Sequence, residues 1–515
     1  MTEFRHPDCL PTFQKKISPT DLQNQTSTAS HIKMSPWNWP LWWRMLILLN
    51  MSFYNFLGNA FAAGVPPLFG LIIEEFDVTT EQVSGLSTFV LLALGLSNIF
   101  ALPSEAIVGK RFTIIISLVV FLAASIWSGE AATFESLRAA RIIGGLAGGL
   151  VEALGPTVVV EIFPEHQLGR AMVIYVGFLA AGSALGPVVA GAVASQLGSW
   201  RWYARILSMG IFANLVGCLA MLPETSHGTN SGITLPEPTD LVDKDELSDK
   251  PQQMTKDHVG NDVPLESGGK SMSQIYWIRS WSLLYVRQDW RAAIALTYQP
   301  LQLCAAPQIV LTVLVFGLTI GWTVLTSILL PNVYQAPPLL WGPLQIGLFN
   351  FAPFIGLVIG LPVGGFLADR ISNRATRQHY HDPRNRLPMI LFGGLISPAG
   401  CIIMGYGLQS STRWIIVAIG YAMLTTGLTS SANVLLTYSV DCFPQRAGHI
   451  GVLVNITKNC LAFGVSYATM DWYMATGPLI QYATMGGLLW FAYLFVIPMY
   501  IFSKRLLRTS SRWAV

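Results

Sequence analysis

Twelve apolar stretches, each close to the roughly 20 residues a helix needs to cross the hydrocarbon of a bilayer, make up most of this chain. They run over about 44–68, 83–105, 112–129, 137–161, 171–196 and 202–222, then over about 303–330, 345–368, 387–407, 413–436, 449–472 and 480–503. Lipid offers no water to backbone N–H and C=O groups, so each stretch must close its own hydrogen bonds as a helix. A large soluble protein can have a rich apolar core, but it also needs a charged surface. Charged residues are 11% of the 515, against about 25% in a soluble domain, and the mean hydropathy is +0.49. The expected fold is all-α and embedded in a membrane.

Polar segments divide the chain. Residues 1–42 are rich in Ser, Thr and Gln and read as a disordered cytosolic tail. Residues 43–225 hold six stretches, and 226–300 form a polar cytosolic linker too poor in apolar residues to build a core. Within that linker "SWSLLYVRQDWRAAI" is amphipathic enough for an interfacial helix. Residues 301–505 hold the second six stretches, and 506–515 are a short basic tail. The six cysteines are scattered, with no metal-ligand spacing.

Basic residues mark alternate connections: Lys110 and Arg111, then Arg170, Arg370, Arg374, Arg446 and Lys504. The connection "EEFDVTTEQ" on the opposite side is acidic. Basic loops stay cytosolic, which places both termini and the linker inside. Two of these inner connections repeat one design. "EIFPEHQLGR" holds Glu161 and Arg170, and "DCFPQRAGHI" holds Asp441 and Arg446. Both join the fourth and fifth spans of a set of six. The chain therefore reads as two pseudo-symmetric six-helix bundles, an arrangement in which a ligand sits between the halves near the bilayer midplane.

At this point the residues resemble the major facilitator superfamily, in particular its fungal drug:proton antiporter-like branch with twelve spans. The resemblance covers about 40–510. That family carries Gly-x-x-x-Asp-Arg-x-Gly-Arg after the second span of a half. Gly365, Asp369, Arg370 and Arg374 match it in the second half, with the later glycine replaced. In the first half Gly109, Lys110 and Arg111 fit, but Ala106 stands where the aspartate belongs, with Glu105 beside it. "RIIGG" supplies the fourth-span Arg141 and Gly145. "GSALGPVVAG" supplies Gly182, Gly186 and Pro187 of the antiporter motif, and "LPETS" resembles the end of the sixth span in fungal members. The resemblance implies a major facilitator fold and a secondary transporter that exports a small organic molecule or drug in exchange for protons. It is then no enzyme, and sits most naturally in the plasma membrane, working as a monomer. Proton-coupled uptake of a nutrient or metabolite is the alternative, and a non-transporting receptor on the same fold is the other. No cofactor, metal or nucleic-acid module is expected; the chain also lacks a Gly-x-x-x-x-Gly-Lys-Ser/Thr phosphate loop.

Glu152 is the leading candidate for coupling. It lies nine residues before Glu161, about 14 Å along a helix, which puts it near mid-membrane. A carboxylate there is costly unless it is paired, protonated or facing water. It could carry the proton, bind a cationic substrate, or simply bond a neighbouring helix. Lys458 lies equally deep and invites either a pair with Glu152 or an anionic substrate. Arg141, nearer the outer side, reads as a proton relay or as a guanidinium satisfying helix-end carbonyls. Candidates for the cavity wall are Asn50, Tyr54, Asn55, Asn59, Trp322, Thr326, Asn350, Ser430, Asn433, Asn455 and Asn459. Glu105, Lys110, Arg111, Glu161, Arg170, Asp369, Arg370, Arg374, Asp441 and Arg446 form an expected inner gate, with Glu161 paired to Arg170 and Asp441 to Arg446. Gly144, Gly145 and Gly148 permit close helix approach, and Gly182, Gly186 and Pro187 let the fifth span bend.

Overall fold

A computed structural model describes residues 39–224, 290–364, 387–388, 390–410, 413–443 and 446–511. The expected tail, most of the linker, and Asp369, Arg370 and Arg374 lie outside them. Twelve helices among the described residues are long and apolar enough to cross a membrane. Spans 1 to 6 are Leu41–Phe76, Thr80–Val108, Lys110–Gly129, Phe134–Ile162, Gln167–Leu197 and Arg201–Met221. Spans 7 to 12 are Pro307–Tyr334, Pro343–Pro362, Ile390–Leu408, Trp414–Cys442, Ala447–Tyr467 and Thr469–Ser503. The face at which span 1 begins and span 12 finishes is called the near face below, and the opposite one the far face.

Local chemistry accounts for several ends. The Thr79 hydroxyl accepts from the Gln82 N–H while the Gln82 side chain accepts from the Thr79 N–H, a reciprocal cap that starts span 2. Spans 2 and 3 are separated by Gly109 alone, whose φ of 87° suits a residue without Cβ. Span 7 starts at Pro307, later than its hydropathy indicates, because the proline fits the first helical position. Hydropathy carries span 11 to about 472, but the helix breaks after Tyr467. Gly477, with φ 78°, then interrupts span 12 just before Pro478. Span 1 runs past its expected end through a 3-10 turn at Pro66–Leu68.

Both halves repeat one packing plan. In the first half span 1 packs on spans 4, 5 and 6, span 2 on span 4, and span 3 on spans 4 and 6. In the second, span 7 packs on spans 10, 11 and 12, span 8 on span 10, and span 9 on spans 10 and 12. The fold is thus two six-helix bundles, each with its own apolar core. Large apolar side chains such as Phe100, Phe212, Leu395 and Phe491 are left on the outside, where lipid is their solvent. Small residues bring helices close. A Cβ on Gly182 would lie 2.4 Å from the Phe56 carbonyl oxygen, and one on Gly186 would lie 2.9 Å from Ala60 Cα, so span 5 presses backbone to backbone on span 1. Gly144, Gly145 and Gly148 likewise face Phe61, Val90 and Gly58.

The halves meet along two seams, span 2 against span 11 and span 5 against span 8. The helix Trp290–Gln302 packs on spans 2 and 11 together. On the far side the second seam is closed: Gly347 abuts the Pro187 carbonyl and Gly191 abuts that of Pro343. There two amides of span 7 reach across to the first half. Asn332 Nδ2 donates to Ser84 Oγ at 3.1 Å and Gln335 Nε2 to the Pro67 carbonyl at 3.1 Å. Among the described residues, the polar contacts between halves lie here and at mid-depth.

Each neutral hydrogen bond is worth about 1 kcal/mol net. The double variant Asn332→Ala, Gln335→Ala should therefore shift the balance towards far-side opening by about 30-fold. A cysteine at position 327, with native cysteines replaced, should then react faster with an impermeant maleimide supplied at the far face. An unchanged rate would remove these amides as the closing contacts.

Candidate functional site

Span 4 bears two deep charges whose surroundings differ. Glu152 is 4% exposed and Lys458 5%. Lys458 belongs to span 11, in the other half, and its Nζ lies 3.1 Å from Glu152 Oε2. Asn459 Nδ2 donates to the same oxygen at 3.2 Å, and Asn455 Nδ2 donates to the Glu152 carbonyl at 3.0 Å. Positions 455, 458 and 459 share one helix face by their spacing of three and four, so span 11 offers a continuous donor edge to one acidic residue. Span 2 closes the site: a Cβ on Gly95 would stand 3.0 Å from Asn459 Cβ. Tyr175 of span 5 donates to the Val151 carbonyl at 2.7 Å and holds span 4 from the other side.

A buried pair like this one stands or falls by its geometry, since desolvating both ions costs as much as their attraction returns. Here an extra amide donor on the carboxylate helps. The chemical result is a carboxylate and an ammonium side chain in contact at mid-depth, one from each half.

Arg141 is also buried, but Glu152 is not its partner. Its Nη2 donates to the Phe61 carbonyl at 2.7 Å and to that of Ala62 at 3.5 Å, and its Nε donates to the Leu86 carbonyl at 3.3 Å. The guanidinium lies over the Phe61 ring, 4.5 Å from its centroid. It thus closes the end of the first helix of span 1 and pins span 2 beside it.

The cavity candidates divide in the same manner. Asn50 accepts from Asn214 of span 6. Tyr54 Oη lies 2.9 Å from Ser117 Oγ and donates to the Ala147 carbonyl at 3.0 Å. Asn59 donates to Asn55 one turn back, at 3.1 Å. Thr326 accepts from Tyr482, Ser430 donates to the Gly427 carbonyl, and the Trp322 ring lies against Trp472. Asn350 stands, with Tyr421 and Ser327, beside a narrow cleft between spans 7, 8 and 10. Asn433 lies on span 10. Among the candidates whose side chains are described, Asn455 and Asn459 are the ones brought to Glu152.

Near-face charges depart from the expected pairing. Glu161 takes Lys110, not Arg170, and Lys110 also lies 3.1 Å from Glu105. Among the described residues Arg170 is exposed and forms no ion pair. Among the described residues no ion pair joins Asp441 to Arg446. Glu105, Lys110 and Glu161 come from spans 2, 3 and 4, so this triad ties one half together and does not bridge two. The sequence reading gave no role to Glu224, a buried acid just after span 6. Its carboxylate accepts from the Lys110 N–H at 3.3 Å and the Arg111 N–H at 3.0 Å, the first two donors of span 3. A negative charge at a helix start meets unsatisfied N–H groups and the positive dipole end. Its sequence signals are an acid directly after an apolar span and its place in the "LPETS" ending of span 6.

The fold and this bridging pair define a class: membrane carriers built from two similar bundles around a shared centre. A family model described as Major Facilitator Superfamily matches residues 48–467, and the chain belongs to that family. The protein HOL1 of Saccharomyces cerevisiae is 21% identical, over 99% of this chain and 97% of its own. A probable drug/proton antiporter of the same yeast, YHK8, is 23% identical over 76% of this chain and 71% of its own. The crystal structure of a D-xylose-proton symporter matches 88% of this chain and 97% of its own, with a TM-score of 0.59 and 14% identity.

Lys110→Met should leave Glu105 and Glu161 facing each other without a cation. Removing one partner of a buried ionic cluster costs about 3–5 kcal/mol. The purified variant should melt several degrees lower, and adding Glu105→Gln and Glu161→Gln should recover most of the loss. A lone Lys110→Met that melts like the parent would show the triad to be unimportant for the half.

Proposed function

We propose that this chain is a secondary transporter that moves a small organic molecule across a membrane by alternating access, coupled to proton movement through Glu152. The observation that carries the reading is the Glu152–Lys458 contact of 3.1 Å at mid-depth, one partner on each half. A carrier must tie solute and proton to one conformational change. A titratable group on the boundary between its moving parts is placed to do so.

The cycle follows from elementary electrostatics. With Glu152 ionised, the pair is neutral and draws spans 4 and 11 together. Protonating the carboxyl removes the attraction and leaves the ammonium seeking another partner, which loosens the centre and lets solute enter. Rocking of one half on the other then exposes the site to the second face. The amides of Asn332 and Gln335 close the far side in one state.

The near face is proposed to be cytosolic, from its basic connections. For direction, we place uptake, with proton and solute moving together, ahead of the exchange expected from the antiporter resemblance. The ammonium that protonation frees prefers to gain a solute partner in the same step. The drug/proton antiporter name of one relative supports the opposite order, and the plasma membrane suits both.

Flux in sealed vesicles with an imposed proton gradient tests the reading. Glu152→Gln should lose gradient-driven accumulation of any solute the parent accumulates, by about ten-fold or more, while keeping the melting behaviour of a folded protein; ten-fold corresponds to about 1.4 kcal/mol. Gradient-driven transport by the Gln variant at the parent's rate would sink the proposal. Binding without flux in the parent would make the chain a receptor.

A further inference from the structure

We infer that the solute is a small organic monoanion, in the simplest case a monocarboxylate, and that Lys458 is the residue that binds it; this rests on the proton-coupled reading above. Lys458 is buried, with 5% of the residue exposed. It carries three N–H donors, and among the described residues its one anionic partner is Glu152 Oε2. That oxygen is shared with Asn459. With Glu152 protonated, no second anionic side chain among the described residues meets this ammonium, so a solute anion would be its counter-charge.

Charge balance does the rest. Empty, the site holds a carboxylate and an ammonium, and their charges sum to zero. With a proton on Glu152 and a monoanion on Lys458, they sum to zero again. With the proton alone the site carries a bare positive charge, and with the anion alone a bare negative one. A bare charge at mid-membrane is expensive, so the two half-loaded forms are the ones that cannot pass through the closed, dry intermediate. The empty and fully loaded forms can. The same balance gives one proton per anion and no net charge moved by the loaded carrier beyond the pair itself.

The other ionisable groups near this point leave the balance intact. Arg141 lies eleven positions along span 4, its Nε and Nη2 donate to three backbone carbonyls of its own half, and its charge is the same in all four forms. From spans 5 and 1, Tyr175 and Tyr54 face span 4 as neutral phenols donating to the Val151 and Ala147 carbonyls. From span 2, Ser97 and Asn98 turn back on the Leu94 carbonyl of their own helix. A cationic solute on Glu152 would have to displace Lys458 and leave two positive charges side by side.

The proton moves without covalent change in the solute. Hydronium at one face gives its proton to the Glu152 carboxylate, the carboxyl crosses with the loaded carrier, and water at the other face takes the proton back. Lys458 stays an ammonium throughout.

The test uses the full chain in vesicles with three probe sets: pyruvate and benzoate as monoanions, choline and putrescine as cations, and sorbitol and xylose as neutral solutes. A monoanion should accumulate with the proton gradient, at one proton per anion, and its rate should not respond to an imposed membrane potential. Lys458→Met should lose this flux about ten-fold or more, 1.4 kcal/mol in the barrier, and Lys458→Arg should retain part of it. Because Lys458→Met alone leaves Glu152 unpaired, the neutral double variant Lys458→Met, Glu152→Gln serves as the folding control. It should melt like the parent and transport nothing. Proton-driven accumulation of the cations or neutral solutes instead would overturn the monoanion while leaving the coupled carrier standing. So would monoanion flux in Lys458→Met at the parent's rate, or a rate set by membrane potential. If no probe of any set moves with the gradient in the parent, and Glu152→Gln behaves like the parent, both readings fail together.

Discussion

A charge in the middle of a membrane must find a counter-charge, a proton or water, and in this chain that requirement decides what holds the halves together. Glu152 and Lys458 satisfy each other at 3.1 Å only while spans 4 and 11 stay in contact. Among the described residues neither has an ionic partner within its own half. The pair therefore sets the depth at which the two bundles touch. Asn455 and Asn459 add amide bonds at the same level, and Gly95 lets span 2 approach close enough to close the site. Helix packing in lipid has little hydrophobic drive, so these few polar contacts weigh more heavily than they would in a water-soluble protein.

Polar chemistry is distributed by what each region has to do. The ionic groups described on the near face, Glu105, Lys110, Glu161 and Glu224, bind spans 2, 3, 4 and the end of span 6 into one body. Such contacts are slow to give up, which suits a rigid half. On the far face Arg201 pairs with Glu75 and Arg205 with Glu130, again inside the first half. The far-side contacts that cross between halves are different in kind. Asn332 to Ser84 and Gln335 to Pro67 are neutral, and water replaces a neutral amide bond at little cost. Strong interactions lie within the halves and exchangeable ones between them. The mid-depth Glu152–Lys458 pair is the exception, an ionic contact that crosses between the halves.

The number of spans, their pairing into two bundles and the depth of Glu152 and Lys458 were legible from hydropathy and position alone, because lipid leaves a chain few choices. Partner choice was less so. Arg170 lies in the same short connection as Glu161, yet Lys110 from another helix takes that carboxylate, because the packing of spans 3 and 4 brings their near ends together. Asn50 and Tyr54 look from the sequence like a polar stripe facing a cavity. They face spans 6 and 3, since a polar group in lipid is served equally well by a neighbouring helix. Asn332 and Gln335 carry no sequence signal beyond an amide at a helix end, and only the far-side approach of the halves shows what they reach. Glu224 became readable once the start of span 3 was in place beside it.

The two deep charges of span 4 show why burial alone does not identify a working residue. Arg141 and Glu152 stand eleven residues apart, about 16 Å along the helix, and both are nearly inaccessible. Nε and Nη2 of Arg141 donate to carbonyls of Leu86, Phe61 and Ala62, on spans 2 and 1, which pack with span 4 in the same half. In the proposed cycle its electrostatic surroundings would therefore stay constant, and a constant environment cannot couple to motion. The carboxylate of Glu152 is held by Lys458 and Asn459 from the opposite half. Any change in the angle between the halves changes what surrounds it, and any change in its protonation changes the attraction between the halves. Such reciprocity is what linkage would require of a coupling site, and under the proposed cycle it falls to the Glu152–Lys458 pair.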